Sequence, residues 1–358
     1  MLPKGTDRLY PTDIFQQTAF WSRVKARLGW KPEAFDLSIP ETMADILVMR
    51  RSIGSDAEIA YIPFGPEVLP DEDSRGCFLE EVSEELSRRL PAECILIRYE
   101  LPWESPYACD PARFDGEGHW IGAPEPYARE LRMNFGTVRH NLRKAPTDIM
   151  PADTVVIDLS PSYDTIFERM KPKTRYNIRL AAKNGITIQY GGLEDLPLWY
   201  DLYCRTCLHH GLVAQGYEHF ASLFLTGAEG SLSPAKPFLL FALHEGRPVA
   251  GNILILSHTR ATYLYGASSW EHRRLMAPYA LQWEAIRMAK EAGCTEYDLY
   301  GVSPGPDPAH PLYGLYRFKT GFGGILVHRQ GCWDYPLKME AYSRLKAQEL
   351  NDRGYHGG

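Results

Sequence analysis

Runs of hydrophobic positions separated by short polar turns occur in two long segments of the chain, 42–65 and 237–267. Apolar runs bounded by turn residues in this way predict paired β-strands. Each segment is followed by a stretch with helical spacing and then by one more apolar strand. The helical stretches are 78–90 and 277–292, and the strands after them are 94–99 and 297–300. Because the same order of elements occurs twice, the pattern predicts two similar α/β units.

The boundary between the two units is expected near 151–154, where Pro146, Pro151 and Asp153 interrupt the pattern. We predict a first domain of residues 1–153 plus about 331–358, and a second domain of residues 154–330. Further elements are predicted after the boundary: a strand at 155–159, helices at 163–170, 174–184, 196–211 and 339–350, and a strand pair at about 315–335. Within 196–211, the residues Trp199, Leu202 and Leu208 are expected to face a core.

Strands that alternate with helices indicate an α/β or α+β fold. No long, charged, apolar-periodic stretch interrupts the second unit, so no helical coiled-coil arm is expected. The 358 residues are 44% hydrophobic and 23% charged, which is typical of globular domains. The net charge of −6 argues against a protein that grips nucleic acid over its whole surface, so any RNA contact requires a local basic patch.

Seven cysteines in a chain of this length favour a reducing compartment rather than a disulfide framework. The first residues, MLPKGTDRLYPTD, contain no apolar segment of the secretory type. No window approaches the roughly 18 apolar residues of a spanning helix. We therefore expect a cytoplasmic protein, with contact at the inner face of the membrane left open.

Lys319 is the first candidate for chemistry. It lies between Phe318 and Phe322, close to a glycine-rich turn. A cation in such a partly dry site could stabilise the oxyanion of a tetrahedral acyl-transfer intermediate. The alternative is a surface lysine on a strand, whose stem covers the neighbouring aromatic rings.

A second candidate is the basic run at the start of the helix at 174–184. Four cations occur within nine residues, Lys171, Lys173, Arg175 and Arg179. Cations at a helix start suit phosphate groups or an RNA backbone, and a solvated basic face is the alternative.

For two other candidates, an ordinary surface or structural role is the alternative to a functional one. Lys25 follows Trp21 by one helical turn and could contact a ligand phosphate, or could be an ordinary exposed lysine. Cys204, Cys207, His209 and His210 are close in sequence, but a zinc site needs four convergent ligands, and a second pair with suitable spacing is missing. We interpret the cysteines as structural residues within a helix and expect no metal.

The strand–helix junction 273–278 indicates whether coenzyme A could carry the acyl group that is transferred. Acetyltransferases hold coenzyme A with a turn whose glycines let backbone N–H groups reach the pyrophosphate. Here Met276 and Pro278 occupy the glycine positions, and proline has no N–H to donate. The sequence therefore argues against a coenzyme A donor.

Several segments together resemble the Fem family of peptidoglycan-bridge aminoacyltransferases, FemX and FemA among them. The similar segments follow one another in the family's order and are Phe15-Gln-Gln-Thr-x-x-Trp21-x-x-x-Lys25-x-x-x-Gly29-Trp30, Tyr61-Ile-Pro-Phe-Gly-Pro66, Lys173-Thr-Arg-Tyr-Asn-Ile-Arg179-x-Ala181, Asp298-x-Tyr-Gly301 and Gly314-Leu-x-x-Phe-Lys319-x-Gly-Phe322. Without an arm, the chain looks closer to FemX than to FemA. Glu100 stands where the family often has Asp, and 105–130 looks like an insertion.

The resemblance implies two acetyltransferase-like (GNAT) domains, an aminoacyl-tRNA donor and no other cofactor. It implies that the acceptor is the stem-peptide amine of a peptidoglycan precursor, either UDP-MurNAc-pentapeptide or its lipid-linked form. Lys25 resembles a contact to the precursor's phosphates, and Tyr263 and Tyr265 resemble the acceptor-binding strand. Lys319, with Phe318 beside it, resembles the lysine that stabilises the transition state. An acyl-CoA-dependent N-acyltransferase and a non-catalytic cell-wall scaffold are the alternative functions.

Overall fold

The structure is a computed structural model and describes residues 1–39, 42–54, 56–227 and 230–351. Its strands are β1 (Leu2–Lys4), β2 (Lys31–Ile39), β3 (Thr42–Ile53), β4 (Ala57–Ile62), β5 (Cys94–Glu104), β6 (Arg143–Lys144), β7 (Asp153–Asp158), β8 (Thr187–Gly191), β9 (Ala235–His244), β10 (Arg247–Ser257), β11 (Arg260–Ser268), β12 (Glu296–Gly301) and β13 (Ile325–Pro336). Its helices are α1 (Ala19–Arg27), α2 (Arg75–Ser87), α3 (Pro126–Met133), α4 (Tyr163–Arg169), α5 (Pro172–Lys183), α6 (Leu196–His210), α7 (Tyr217–Leu225), α8 (Ala277–Glu291), α9 (Tyr313–Lys319) and α10 (Met339–Asn351).

The same strand–helix order occurs twice in one mixed sheet. In the first half, β2, β3 and β4 are antiparallel, α2 follows, and β5 returns parallel to β4. In the second half, β9, β10 and β11 are antiparallel, α8 follows, and β12 returns parallel to β11. This repeated arrangement confirms the prediction of two acetyltransferase-like units, and the described residues contain no coiled-coil arm.

β13 connects the two units within the sheet. Its first residues pair with β7, and its later residues pair with β5. The sheet therefore runs without a break in the order β1-β2-β3-β4-β5-β13-β7-β12-β11-β10-β9-β8. The domain limits 1–153 plus about 331–358, and 154–330, stay a prediction, and residues 352–358 of the first lie outside the described residues.

Three main apolar cores follow from this layout. One fills the first unit around Ile46, Tyr99 and Trp333, and another fills the second unit around Leu281 and Tyr297. The third is shared between the halves. It joins the N-terminal segment with α6, α7 and the strands β9–β11 through residues such as Phe20, Trp21, Trp199, Phe220 and Phe241. The N-terminal helix is therefore packed against the second unit as well as the first.

Three sequence predictions are wrong in detail. The strand pair at about 315–335 is one strand, β13, preceded by helix α9. Phe318 of this helix packs against Phe322, in the turn that follows it, with ring centroids 5.2 Å apart. Leu208 is 82% exposed because the buried stripe of α6 runs through Trp199, Tyr203 and Cys207. The segment 237–267 contains three strands rather than two.

Other predicted elements are confirmed to within a few residues, among them α2, α5, α8 and α10. In the described part of the chain, none of the helices has the length and apolar character needed to cross a membrane.

Candidate active site

The strands β11 and β12 separate partway along their length, and Lys319 lies in the gap. They pair only where Arg260–Thr262 lies beside Glu296–Asp298. Lys319, the last residue of α9, is 5% exposed. Its Nζ donates to the carbonyl oxygens of Gly301 at 2.8 Å and Tyr300 at 3.3 Å. Lys319 is therefore a buried residue on a helix, and the alternative of a surface lysine on a strand is wrong.

The carbonyl groups that hold Lys319 belong to a strained turn. Tyr300 has φ 60°, which is the left-handed region that side chains other than glycine rarely adopt. The carboxylate of Asp298 stabilises this turn by accepting a hydrogen bond from the Tyr300 backbone N–H at 2.8 Å. Asp298 also accepts from Thr154 and pairs with Arg329 at 3.0 Å. Strain of this kind persists where the surroundings enforce it, as they do here.

Burial controls the charge of Lys319. Removal from water lowers its pKa to about 7, and the negative charge of Asp298 partly opposes that shift. The ammonium form donates to two carbonyl groups and lies 5.2 Å from the centroid of the Tyr263 ring. The group is therefore a desolvated cation near neutral pH, which interacts strongly with any negative charge that develops beside it.

Phe318 contributes to the packing around this lysine. Its ring centroid is 5.0 Å from that of Tyr279 and 5.2 Å from that of Phe322, with edge-to-face geometry in both contacts. Both partners belong to the core region of the second unit. Phe318 thus anchors the end of α9 and orients Lys319.

Tyr263 and Tyr265 face opposite sides of the sheet. A bulge in β11 makes Tyr263 the partner of Leu254 and Tyr265 the partner of Ile253. Tyr263 packs in the second unit's core beside Lys319, and burial raises the pKa of its hydroxyl to about 12. Gly266 lies against this ring, and a Cβ atom at that position would displace the Tyr263 hydroxyl. Tyr265 packs in the shared core.

Lys25 lies on the same side of the sheet as Tyr265. Its Nζ is 4.9 Å from the ring centroid of Trp21 and 5.8 Å from that of Trp30. Burial, followed by the positive charge of Arg51, lowers its pKa to about 8. In the described part of the chain, Lys25 has no hydrogen-bonded or ion-pair acid, so this half-buried cation is available to an anionic ligand.

His219 contacts Tyr265 and was not anticipated from the sequence. Its Nε2 lies 2.9 Å from the hydroxyl of Tyr265. Burial, followed by the charge of Lys25, lowers the pKa of His219 to about 4, so the imidazole is neutral at pH 7. A single histidine on the short helix α7 carries no sequence signal, because its hydrogen-bonded partner comes from β11.

Glu100 is a buried acid on β5. It is 1% exposed, and it accepts hydrogen bonds from the Tyr61 hydroxyl and the Met150 backbone N–H. Burial raises its pKa to about 7, although the hydrogen bond from Tyr61 opposes the shift. In the sequence, Glu100 was notable only because the Fem family often has Asp at this position. The structure adds that Met150, which donates to Glu100, also accepts a hydrogen bond from the Tyr300 hydroxyl at 2.9 Å through its Sδ atom.

The basic run lies beside the Lys319 segment. Lys171 precedes α5, its Nζ lies 3.3 Å from the Thr320 hydroxyl, and its backbone N–H donates to the Gly321 carbonyl at 2.9 Å. Lys173 and Arg179 are exposed on α5, and Arg179 covers the ring of Phe167. Arg175 donates to the Glu168 carbonyl at 2.7 Å. The tertiary structure thus brings Lys171 next to Lys319 and leaves the other cations along an adjoining helix.

The cysteines of the Cys204 and Cys207 segment lie within α6, as expected. Cys207 is buried in the shared core and Cys204 is half-buried against it. The region 105–130 forms a loop and the helix α3. In that loop, Trp120 stacks on His328 at a centroid distance of 3.8 Å.

Comparison with known proteins places this geometry in a family. The FemAB family model matches residues 8–231 and 238–349. The chain belongs to the FemAB family. A lipid II:glycine glycyltransferase of Staphylococcus epidermidis is 36% identical over 276 residues, which cover 60% of this chain and 65% of that protein. The enzyme of the same name from Staphylococcus aureus is 34% identical over 260 residues, covering 55% and 62%.

Among solved structures, FemX has a TM-score of 0.73 with 17% identity, covering 95% of this chain and 96% of FemX. At 17% identity, this similarity shows a shared fold and nothing further. The predicted resemblance to the Fem family is therefore confirmed, as is the predicted similarity to FemX in architecture. The chain spans less than two thirds of the length of the glycyltransferases that it matches.

Proposed function

We propose that this FemAB-family chain is an aminoacyltransferase that adds one or more amino acids to the stem-peptide amine of a peptidoglycan precursor, for formation of the interpeptide bridge. The donor is an aminoacyl-tRNA, and no coenzyme A is used. The observation that carries the proposal is the buried cation of Lys319 in the gap between β11 and β12. The names of the related proteins make glycine and lipid II the first pair to test, with UDP-MurNAc-pentapeptide as the soluble acceptor.

The proposed chemistry begins with attack of the acceptor amine on the ester carbon of the donor. The C–N bond forms, the carbonyl oxygen becomes an oxyanion, and collapse of the intermediate breaks the ester bond. The tRNA leaves through its ribose hydroxyl, which takes the proton released by the amine. Lys319 stabilises the oxyanion, and because its pKa is about 7 by burial, the protonated form is available near neutral pH. Positioning of the two substrates supplies much of the remaining rate.

Two groups of residues serve the substrates in this proposal. Lys25, a half-buried cation without an acidic partner in the described residues, contacts the precursor's phosphates. Tyr265 lies on the same side of β11 as Lys25 and lines the acceptor side, whereas Tyr263 lies on the other face beside Lys319. Lys171, Lys173, Arg175 and Arg179 contact the acceptor stem of the tRNA beside Lys319.

The junction between the 3-10 turn Arg273–Leu275 and α8 supports a donor other than coenzyme A. Met276 has φ 57°, and Pro278 lies within the first turn of α8 without an N–H to donate. A calorimetric titration with coenzyme A should give no binding heat. Saturable binding, together with acyl transfer from acyl-CoA, would favour the N-acyltransferase alternative.

The decisive experiment incubates the purified chain with pooled charged tRNAs and either precursor form, followed by mass measurement of the products. A mass increase equal to whole aminoacyl residues is expected. Lys319→Met should lower turnover by about 10²–10³-fold, the loss that follows removal of one oxyanion donor. Arg317→Met, which alters an exposed residue of the same helix, is the matched control and should keep its activity. Undiminished turnover in folded Lys319→Met would contradict the assignment.

A further inference from the structure

A small pocket in the first unit, remote in sequence from Lys319, is lined by three arginines. It lies at the start of α2 beside α3 and the beginning of the 105–130 loop. The arginines are Arg75, Arg129 and Arg132, and Glu72 is the one acid among the lining residues. The formal charge of the lining is therefore +2, from three cations and one anion, although the chain carries −6.

Arg75 is the least paired of the three arginines. It is the first residue of α2, and its guanidinium lies 5.9 Å from the ring centroid of Trp103. The Nε and Nη1 atoms are both buried, and neither has a hydrogen-bond partner among the residues described. Buried donors normally have partners, and an unpaired charged donor is especially costly. No carboxylate in the described residues forms an ion pair with Arg75.

The other two arginines are held in place around the same space. Arg129 donates to the Gln330 carbonyl at 2.9 Å and lies 6.0 Å from the ring centroid of Trp333. Arg132 lies 5.3 Å from the ring centroid of Tyr107 and pairs with Glu72. Because each guanidinium lies near an aromatic ring, its position is limited while N–H donors remain at its edge. Burial lowers the pKa of both Arg75 and Arg129, so an added negative charge would stabilise these cations.

We propose that this pocket, formed by Arg75, Arg129 and Arg132, binds a phosphate group. A tetrahedral oxyanion offers several acceptors to converging guanidinium forks, and three guanidinium groups line this pocket. The N-terminus of α2 adds a favourable partial charge at the same place. The free space of about 30 Å³ suits one small anionic group rather than a nucleoside. The site is separate from Lys25 and Lys319 and does not rest on the proposed transfer activity.

Inorganic phosphate is the probe for the first test, by isothermal titration of the whole chain at low ionic strength. Saturable binding to the wild-type chain is expected. Arg75→Met should weaken the binding by at least about tenfold, since it removes one of the three guanidinium groups that line the pocket. Arg88→Met is the matched control, because Arg88 belongs to the exposed surface near the other end of α2 and pairs with Glu85.

Glu72→Gln tests the charge argument in the opposite direction. Glu72 pairs with Arg132 and would compete with an incoming phosphate, so its neutral variant should bind phosphate more tightly. Circular dichroism melting of each variant checks that the fold is retained. An absence of saturable binding to the wild-type chain, or undiminished binding in folded Arg75→Met, would overturn the proposal.

Binding to lipid vesicles shows whether the phosphate group belongs to a lipid headgroup or to a soluble compound. Co-sedimentation is measured with phosphatidylglycerol vesicles, and with phosphatidylcholine vesicles as the reference. If Arg75→Met loses both phosphate binding and preferential sedimentation with phosphatidylglycerol, the site is supported and a lipid headgroup is its source. If phosphate binding alone is lost, the site is supported with a soluble phosphate compound as its source.

Discussion

At the scale of single residues, the properties of Lys319 follow from its surroundings rather than from its type. A lysine in water keeps its proton to high pH, but burial here lowers the pKa to about 7. The two carbonyl acceptors come from a turn with a left-handed residue, Tyr300, which Asp298 stabilises. Neighbouring residues in the sequence contribute little to this environment. The group that is proposed to act in transfer is therefore also a source of instability.

That instability has a definite pH dependence. The folded chain binds the Lys319 proton only below about pH 7, whereas the unfolded chain binds it up to the ordinary lysine pKa of 10.5. The unfolded state therefore binds more protons between these values, and the contribution of Lys319 to the free energy of unfolding rises with pH across this window. As the pH falls from 10 to 7, Lys319→Met should gain about 3 kcal/mol relative to wild type.

Urea denaturation at several pH values measures this difference. Hydrogen bonds that the variant loses shift its stability by a similar amount at each pH. The informative quantity is therefore the slope of the stability difference between variant and wild type against pH. Lys183→Met replaces an exposed lysine and is the control, with no change of slope expected. A difference between Lys319→Met and wild type that stays constant from pH 7 to pH 10 would show that Lys319 is not a desolvated cation.

At the scale of elements, two local features determine which side chains can meet. The bulge in β11 sends Tyr263 and Tyr265 to opposite faces, although residues two apart in a regular strand share a face. Helix α5 begins beside the segment that follows Lys319, which brings Lys171 to Thr320. Local pattern predicted that α5 is helical and basic, but its position depends on packing against α8.

The proposed RNA contact of α5 predicts a specific salt dependence. Each lysine or arginine that neutralises a phosphate adds to the fall of affinity with salt, by roughly one unit of log–log slope per contact or slightly less. Lys173→Ala with Arg179→Ala should therefore weaken binding of charged tRNA and make the slope shallower by about one to two. Filter binding at several salt concentrations measures both quantities.

Arg205→Ala is a suitable control for that measurement. Arg205 is an exposed residue of α6 that pairs with Asp201, and it lies outside the basic run. Its loss should leave the slope unchanged. An unaltered slope in the double variant of α5 would count against a tRNA contact there.

At the scale of the whole molecule, the two repeated units are joined by a third core in addition to the core that each unit has. The shared core contains N-terminal residues such as Phe20 together with Trp199 and Phe241 of the second half. β13 also pairs with strands of both units. We therefore expect one cooperative unfolding transition, in which calorimetric and van't Hoff enthalpies agree.

Trp199→Ala tests this coupling. Trp199 is fully buried, with its ring centroid 4.5 Å from that of Phe220 and 5.0 Å from that of Tyr203. Truncation should lower the free energy of unfolding by about 3–5 kcal/mol. The single transition should move as a whole in scanning calorimetry. Two transitions, of which only one moves, would mean that the units unfold independently.

The sequence by itself determined most of the elements, their duplication and the family, because hydrophobic period and short ordered motifs are local properties. It indicated Lys319, the Asp298-x-Tyr-Gly301 segment and the basic run of α5. Only the tertiary structure decided that Lys319 is buried on a helix, that Tyr263 rather than Tyr265 contacts it, and that His219 meets Tyr265. It also revealed the three arginines around one pocket, which lie up to 57 positions apart in the chain (132 − 75). Burial, pKa and convergence depend on contacts between residues distant in sequence, and these arise when the sheet and helices assemble.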